Sequence, residues 1–188
     1  MNQSKPPLPA LPPLAPVLQA RLAPLRLMAF DVDGVLTDGR LWYAADGGET
    51  KSFDAHDGHG IKMLRQAGFK LAIITSRRSA VVDRRARDLG IHYCYQGVAD
   101  KLATFNELLA ELQFDAGQAG YMGDDLLDLP VLVRAGFAAS VPGAPAAVLA
   151  HVHHVASRPG GRGAVREVCE LVLHAQGRLD TMIAEYLE

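Results

Sequence analysis

The stretch Phe30-Asp31-Val32-Asp33-Gly34-Val35-Leu36-Thr37-Asp38-Gly39 decides how this chain is read. Two carboxylates stand two residues apart, directly after an apolar run (Leu25, Leu27, Met28, Ala29, Phe30) that reads as a buried strand. Gly34 follows at once, so the backbone can turn sharply where the strand ends. In an open α/β sheet, ligands bind outside the carboxyl ends of the strands. The carboxylate pair therefore stands where chemistry is done.

Working outward, Arg40–Ala45 and Glu49–Phe53 flank a turn at Asp46-Gly47-Gly48 and read as a β-hairpin. It follows the acidic loop directly, so it is placed to project over the site as a flap. Downstream, strands and helices alternate. Ile61–Ala67 is a helix stopped by Gly68, and Lys70–Ile74 is a second buried strand ending in Thr75-Ser76. Ser79–Leu89 is a helix and Ile91–Tyr95 a short strand. Lys101–Leu112 is a helix with its apolar stripe at Leu102, Phe105, Leu108, Leu109 and Leu112. Ala119–Met122 is a strand that runs into Gly123-Asp124-Asp125, followed by a helix over Leu126–Ala135. A strand over Phe137–Val141, a short helix over Pro145–Ala150 and an edge strand over Val152–Val155 come next. The chain from Ala164 onward is largely helical. This alternation predicts an α/β fold, a doubly wound, Rossmann-like parallel sheet flanked by helices, with a hairpin flap and no separate cap domain.

A length of 188 residues suits one domain with a real core. Residues 1–24 hold seven of the eleven prolines and read as a disordered or polyproline arm, leaving 25–188 as the domain. Prolines interrupt any continuous apolar helix in that arm, and no run approaches the length that spans a bilayer. The formal net charge is −2 with both signs well mixed, which argues against nucleic-acid binding. Cys94 and Cys169 read as free thiols of a reducing compartment, and the protein as cytoplasmic.

Four strand or helix ends deliver reactive groups: Asp31 and Asp33; Thr75 and Ser76; Lys101; and Asp124, Asp125 and Asp128. Phosphoryl transfer needs this inventory. A hydroxyl and backbone N–H groups hold phosphate oxygens, a Lys neutralises charge, and carboxylates hold Mg²⁺. Without a cation the acidic groups would repel one another and raise their pKa values.

In this order, the set resembles the haloacid dehalogenase superfamily of aspartyl-phosphate hydrolases. Its DxDG motif is Asp31-Val32-Asp33-Gly34, its Thr is Thr75, its Lys is Lys101, and its GDDxxD motif is Gly123–Asp128. The resemblance implies that Asp31 is the nucleophile and Asp33 the acid and base. Asp31, the main-chain carbonyl of Asp33, and Asp124 would hold Mg²⁺, with Asp125 and Asp128 orienting that group. Thr75 and Lys101 would stabilise charge on the transferred phosphoryl.

From Leu25 onward the chain is similar to a capless, homotetrameric branch of that superfamily, which frees an eight-carbon sugar acid for lipopolysaccharide synthesis. The matching pieces include DVDGVLTDG, FDAHDGHGIK, IITSRR, YQGVADK, YMGDDLLDLPVL and GGRGAVREVCELVL. By position, Asp54, Ala55, His56, Asp57 and Gly58 would contact a sugar-acid phosphate, with Lys62, Arg77 and Arg85 supplying positive charge, across a subunit boundary in some cases. This branch commonly reads RDGYGIR where the chain has His56-Asp57-Gly58-His59-Gly60-Ile61-Lys62. Lys for Arg loses a bidentate fork, and His56 stands where the branch has Arg. A nine-carbon sialic-type acid 9-phosphate is the alternative substrate.

Competing readings leave more unexplained. A Ca²⁺ loop of the EF-hand type requires an oxygen ligand where Val35 stands and Glu where Trp42 stands. A glycosyltransferase Asp-x-Asp has no use for Thr75, Lys101 or the later acidic run. A non-catalytic scaffold has no need of both Asp31 and Asp33. His151, His153 and His154 lack a further ligand at zinc spacing and read as an exposed edge. Trp42 and Tyr43, exposed on a flap, suggest a subunit interface.

Overall fold

The computed structural model describes residues 12–187. Leu27–Phe30 forms strand β1, buried throughout. Trp42–Tyr43 (β2) and Glu49–Thr50 (β3) pair antiparallel as the expected hairpin, with Trp42 opposite Thr50. Helix α2 (Ala55–Gln66), β4 (Lys70–Thr75), α3 (Ala80–Leu89) and β5 (Tyr93–Gln96) follow. Next come α4 (Lys101–Leu112), β6 (Ala119–Met122), α5 (Leu129–Leu132), β7 (Phe137–Ser140), α6 (Ala146–Leu149) and β8 (His154–Val155). Helices α7 (Ala164–Ala175) and α8 (Leu179–Glu185) close the described chain.

Six strands form one parallel sheet in the order β5-β4-β1-β6-β7-β8. The chain fills one side of β1 first and then the other, so the strand order reverses between β1 and β6. That reversal opens a crevice at the carboxyl ends of the strands. The central strands read as continuous apolar runs because parallel strands are covered on both faces. Phe30, Ile73, Tyr121 and Phe137 are fully buried there. Helices α1 (Pro16–Leu22), α2, α3 and α7 form one connected packing group, and α4 and α5 another. The hairpin interrupts the strand–helix alternation between β1 and α2.

Three elements differ from expectation. The N-terminal arm is not irregular throughout: Pro16–Leu22 form helix α1, with Pro16 in the first turn, where its missing N–H is harmless. Leu22 is fully buried, and the Gln19 side chain donates to the Ala175 carbonyl at 2.6 Å. Residues 1–11 lie outside the described residues. Helix α2 starts at Ala55, six residues before the expected Ile61, because the Asp54 side chain accepts from the N–H groups of His56 (2.6 Å) and Asp57 (3.2 Å). The expected helix over Leu126–Ala135 is a 3₁₀ turn (Leu126–Asp128) followed by the four-residue α5. Asp128 turns inward at that junction. The C-terminal helix breaks at Gly177, whose φ of 65° suits glycine.

Candidate active site

Register sets the site. Phe30 lies opposite Ile73 of β4 and Met122 of β6, so Asp31, Thr75 and Gly123-Asp124 emerge along one edge of the sheet. The Asp31 N–H donates to the Met122 carbonyl at 2.9 Å, fixing the first residue past the strand. Gly34 has φ 92°, and a Cβ there would overlap the Asp124 carboxylate. The loop must therefore carry glycine to let the second acidic segment approach. From the far side, Gly160 packs against the Gly34 carbonyl, and the Gly161 N–H donates to the Val35 carbonyl at 2.9 Å.

Carboxylate oxygens of Asp31, Asp124 and Asp128 lie within 4.8 Å of one another. Lys101, at the first turn of α4 and fixed by the Asp100 cap on the Ala103 N–H (2.9 Å), reaches into this cluster. Its Nζ lies 3.0 Å from Asp31 Oδ2 and donates to Asp128 Oδ1 at 2.7 Å. Burial opposes charge on Lys101, but Asp31 and Asp128 overcome it and hold its pKa above the ordinary range. Asp128 is fully buried and saturated with donors. Tyr121 Oη donates to it at 2.7 Å, and the N–H groups of Asp124 and Asp125 at 3.0 and 3.1 Å. Its task is to hold Lys101 and to shape the Asp124 loop. Asp125 caps the turn, accepting from the Leu126 N–H at 2.7 Å, and does not join the cluster.

Burial, and then repulsion from Asp128, push the Asp31 pKa up to about 6 despite Lys101. Burial and repulsion from Asp31, Asp128 and Asp125 push Asp124 up to about 7. Asp31 Oδ1 and Asp124 Oδ1 are buried without a hydrogen-bond partner among the described residues. Oxygens crowded, desolvated and unpartnered in this way fit a hard divalent cation.

The Asp33 carboxylate points elsewhere. It is held by Lys51, and its Oδ2 lies 3.6 Å from Arg77 Nε. Lys51 also pairs with Glu49 at 3.2 Å, and Arg77 Nη2 donates to Glu49 (3.3 Å) and to the Tyr43 hydroxyl (2.7 Å). Thr75 ends β4, almost fully buried. The sequence reading missed Lys51 and Glu49. The signal was there, because side-chain alternation along the extended Glu49–Phe53 segment places Glu49, Lys51 and Phe53 on one face.

The other expected substrate contacts divide. Asp54 caps α2, and Asp57 accepts from the N–H groups of Arg166 (2.8 Å) and Gly163 (3.2 Å), joining α2 to the start of α7. Arg85 donates to the Asp54 carbonyl at 2.9 Å and lies across Gly58, where a Cβ would collide with it. These four residues are occupied by the framework. Ala55, His56 and Lys62 are exposed, His56 with 83% of its side chain accessible. Cavities of about 410 Å³ and about 370 Å³ flank the Asp38 and Arg162 side chains, the first reaching Gly34 and Asp124 and the second Phe53, Asp54 and Ala55. A roomier one, about 620 Å³, opens beside Arg78, Asp83 and Gln96, but none of the clustered carboxylates lines it.

The three histidines do not converge. His153 Nδ1 accepts from the Ala138 N–H at 2.9 Å, His154 lies 3.4 Å from Glu167, and His151 bonds the Ala147 carbonyl at 2.7 Å. Cys94 and Cys169 are both free.

No family model matches the chain. It is 45% identical over 168 residues to the 3-deoxy-D-manno-octulosonate 8-phosphate phosphatase KdsC of Yersinia pestis, covering 89% of this chain and 90% of the relative. Among solved structures it superposes on a 3-deoxy-D-manno-octulosonate 8-phosphate phosphatase from Moraxella catarrhalis, in complex with magnesium ion, phosphate ion and KDO, with a TM-score of 0.89. That match is 44% identical and covers 90% of this chain and 97% of the other. A haloacid dehalogenase superfamily hydrolase of subfamily III A from Legionella pneumophila matches at a TM-score of 0.87 and 41% identity, covering 91% and 94% of the two chains.

Proposed function

Because the chain belongs to the 3-deoxy-D-manno-octulosonate 8-phosphate phosphatase family of the haloacid dehalogenase superfamily, we propose that it hydrolyses that sugar-acid phosphate to the free sugar acid and phosphate. The carrying observation is the cluster of Asp31, Asp124 and Asp128 around Lys101, with two carboxylate oxygens left unpartnered. Asp31 and Asp124, with the main-chain carbonyl of Asp33, would hold Mg²⁺. The cation supplies Lewis-acid charge for the phosphoryl oxygens and lowers the raised carboxylate pKa values.

Asp31 attacks phosphorus with one oxygen and forms an aspartyl phosphate, dividing one hard displacement into two easier ones. Lys101 holds the other Asp31 oxygen and, with Thr75 at the neighbouring strand end, offsets charge on the phosphoryl group. Asp33 protonates the departing alkoxide, then takes a proton from the water that cleaves the acyl phosphate. The sugar acid would occupy the cleft by Asp38, Phe53 and Arg162, which Ala55 also lines. Leu41, Trp42 and Tyr43 project from the hairpin into solvent in the single chain, which supports a homotetramer that buries them. Among the described residues no helix is long and apolar enough to cross a membrane, in keeping with a cytoplasmic enzyme of lipopolysaccharide synthesis.

Phosphate release from 3-deoxy-D-manno-octulosonate 8-phosphate should require Mg²⁺, stop with chelator, and exceed release from a nine-carbon sialic-type acid 9-phosphate in kcat/KM. Asp31→Asn should remove more than ~10³-fold of kcat. Undiminished turnover in that variant would refute the covalent route.

A further inference from the structure

The Lys51 side chain is 1% exposed, yet it carries a charge into the interior beside the catalytic loop. Its partners are Asp33 Oδ1 and Glu49 Oε1. Glu49 in turn meets Arg77 at 3.3 Å, and Arg77 Nε lies 3.6 Å from the other Asp33 oxygen. The four side chains close a ring: Asp33, Lys51, Glu49, Arg77 and back to Asp33. Three of them come from the hairpin, the segment leaving it, or the end of β4; only Asp33 belongs to the nucleophile loop. The ring turns the Asp33 carboxylate away from the Asp31–Asp124–Asp128 cluster, toward the side on which the hairpin stands.

We propose that Lys51 is the positioning residue of the acid–base step, which deepens the function proposed above and rests on it. During phosphorylation the Asp31–phosphorus bond forms and the phosphorus–alkoxide bond breaks. The Asp33 carboxyl proton passes to the alkoxide, and Asp33 is left as a carboxylate. Lys51 receives that new charge as an ion pair while fixing the carboxyl group on the leaving-group side. In the second half, water attacks phosphorus and gives its proton back to Asp33, and inorganic phosphate departs from a regenerated Asp31. A buried ammonium that accepts one carboxylate orientation removes the need to reorganise during proton transfer. Glu49 keeps Lys51 in place when Asp33 is neutral.

The demand for a proton depends on the leaving group. A sugar alkoxide needs one, whereas a nitrophenolate leaves unaided. Lys51→Met should therefore be read by leaving-group release in a single turnover, with Mg²⁺ present. We expect a loss of about 100-fold or more on 3-deoxy-D-manno-octulosonate 8-phosphate but only several-fold on p-nitrophenyl phosphate, with the KM for the sugar acid nearly unchanged. Lys51→Arg should recover much of the loss on the sugar phosphate. If Lys51→Met does not fold, Glu49→Gln, which loosens Lys51 without removing it, should change the same ratio in the same direction by a smaller factor. Equal losses on both substrates, or none on either, would overturn the proposal. A wild-type chain inactive on both would instead overturn the phosphatase reading.

Discussion

Asp31 and Asp124 are carboxyl groups lifted from an ordinary 3.8 to about 6 and about 7. Their folded-state values exceed the unfolded ones, so between pH 4 and 7 the folded chain binds more protons than the unfolded chain. Stability from these two groups is therefore present at low pH and is lost as pH rises through the folded values. For metal-free protein this predicts that Asp124→Asn, which removes one charge without changing shape, melts several degrees above wild type near pH 7.5. The gap should close near pH 4, and the mutant should gain less from added Mg²⁺ than wild type. A scanning calorimeter run with chelator and then with Mg²⁺ measures both halves. The site was legible at this scale where reactive residues crowd into short local patterns, as at Asp31-Val32-Asp33-Gly34 and Gly123–Asp128. For Lys51 the alternation along Glu49–Phe53 marks its face but not its partner, which stands 18 residues earlier and across a turn. Asp57 and Arg85 show another limit: the contacts that tie them to the starts of α7 and α2 span 109 and 31 residues, so no local pattern signals them.

Strands of the central sheet were readable to within a residue or two, because unbroken apolar runs bounded by reactive or glycine-rich ends have few other interpretations. Helix α2 was harder. Gly58 and Gly60 lower helix propensity by roughly 1 kcal/mol each relative to Ala, and they concealed its first half. Their reason is tertiary: Gly60 admits Arg166 and Cys169 of α7 at distances where a Cβ would already be tight, 3.1 Å. Helix α1 was hidden by its surrounding prolines, although Leu22 carries it into the core. Leu22→Ala should destabilise the protein by about 2 to 5 kcal/mol, the range for deleting a buried leucine. A urea titration followed by circular dichroism checks this, and a change under ~0.5 kcal/mol would mean that α1 adds little to the fold.

Seen whole, the molecule is a sheet with its chemistry on one edge and two exposed aromatics on the hairpin beside it. Trp42 and Tyr43 are 59% and 64% exposed, while the Tyr43 hydroxyl accepts from Arg77 of the ionic ring. The hairpin thus couples whatever covers its outer face to the groups that hold Asp33. On the proposed homotetramer, Trp42→Glu should lower the mass seen by sedimentation equilibrium toward that of a monomer, and should reduce kcat by at least tenfold through the loosened flap. A tetramer of unchanged mass and full activity would separate the hairpin from assembly.

The seat of the nucleophile also has a history in time. Asp31 leaves the ribosome early, but the segment that packs on its loop, Gly160-Gly161, comes about 130 residues later, and Asp57 waits for the start of α7, 106 residues downstream. Loops that long close slowly. A nascent chain therefore carries its reactive carboxylates unassembled through most of translation, and becomes competent only when its last quarter folds back onto its first.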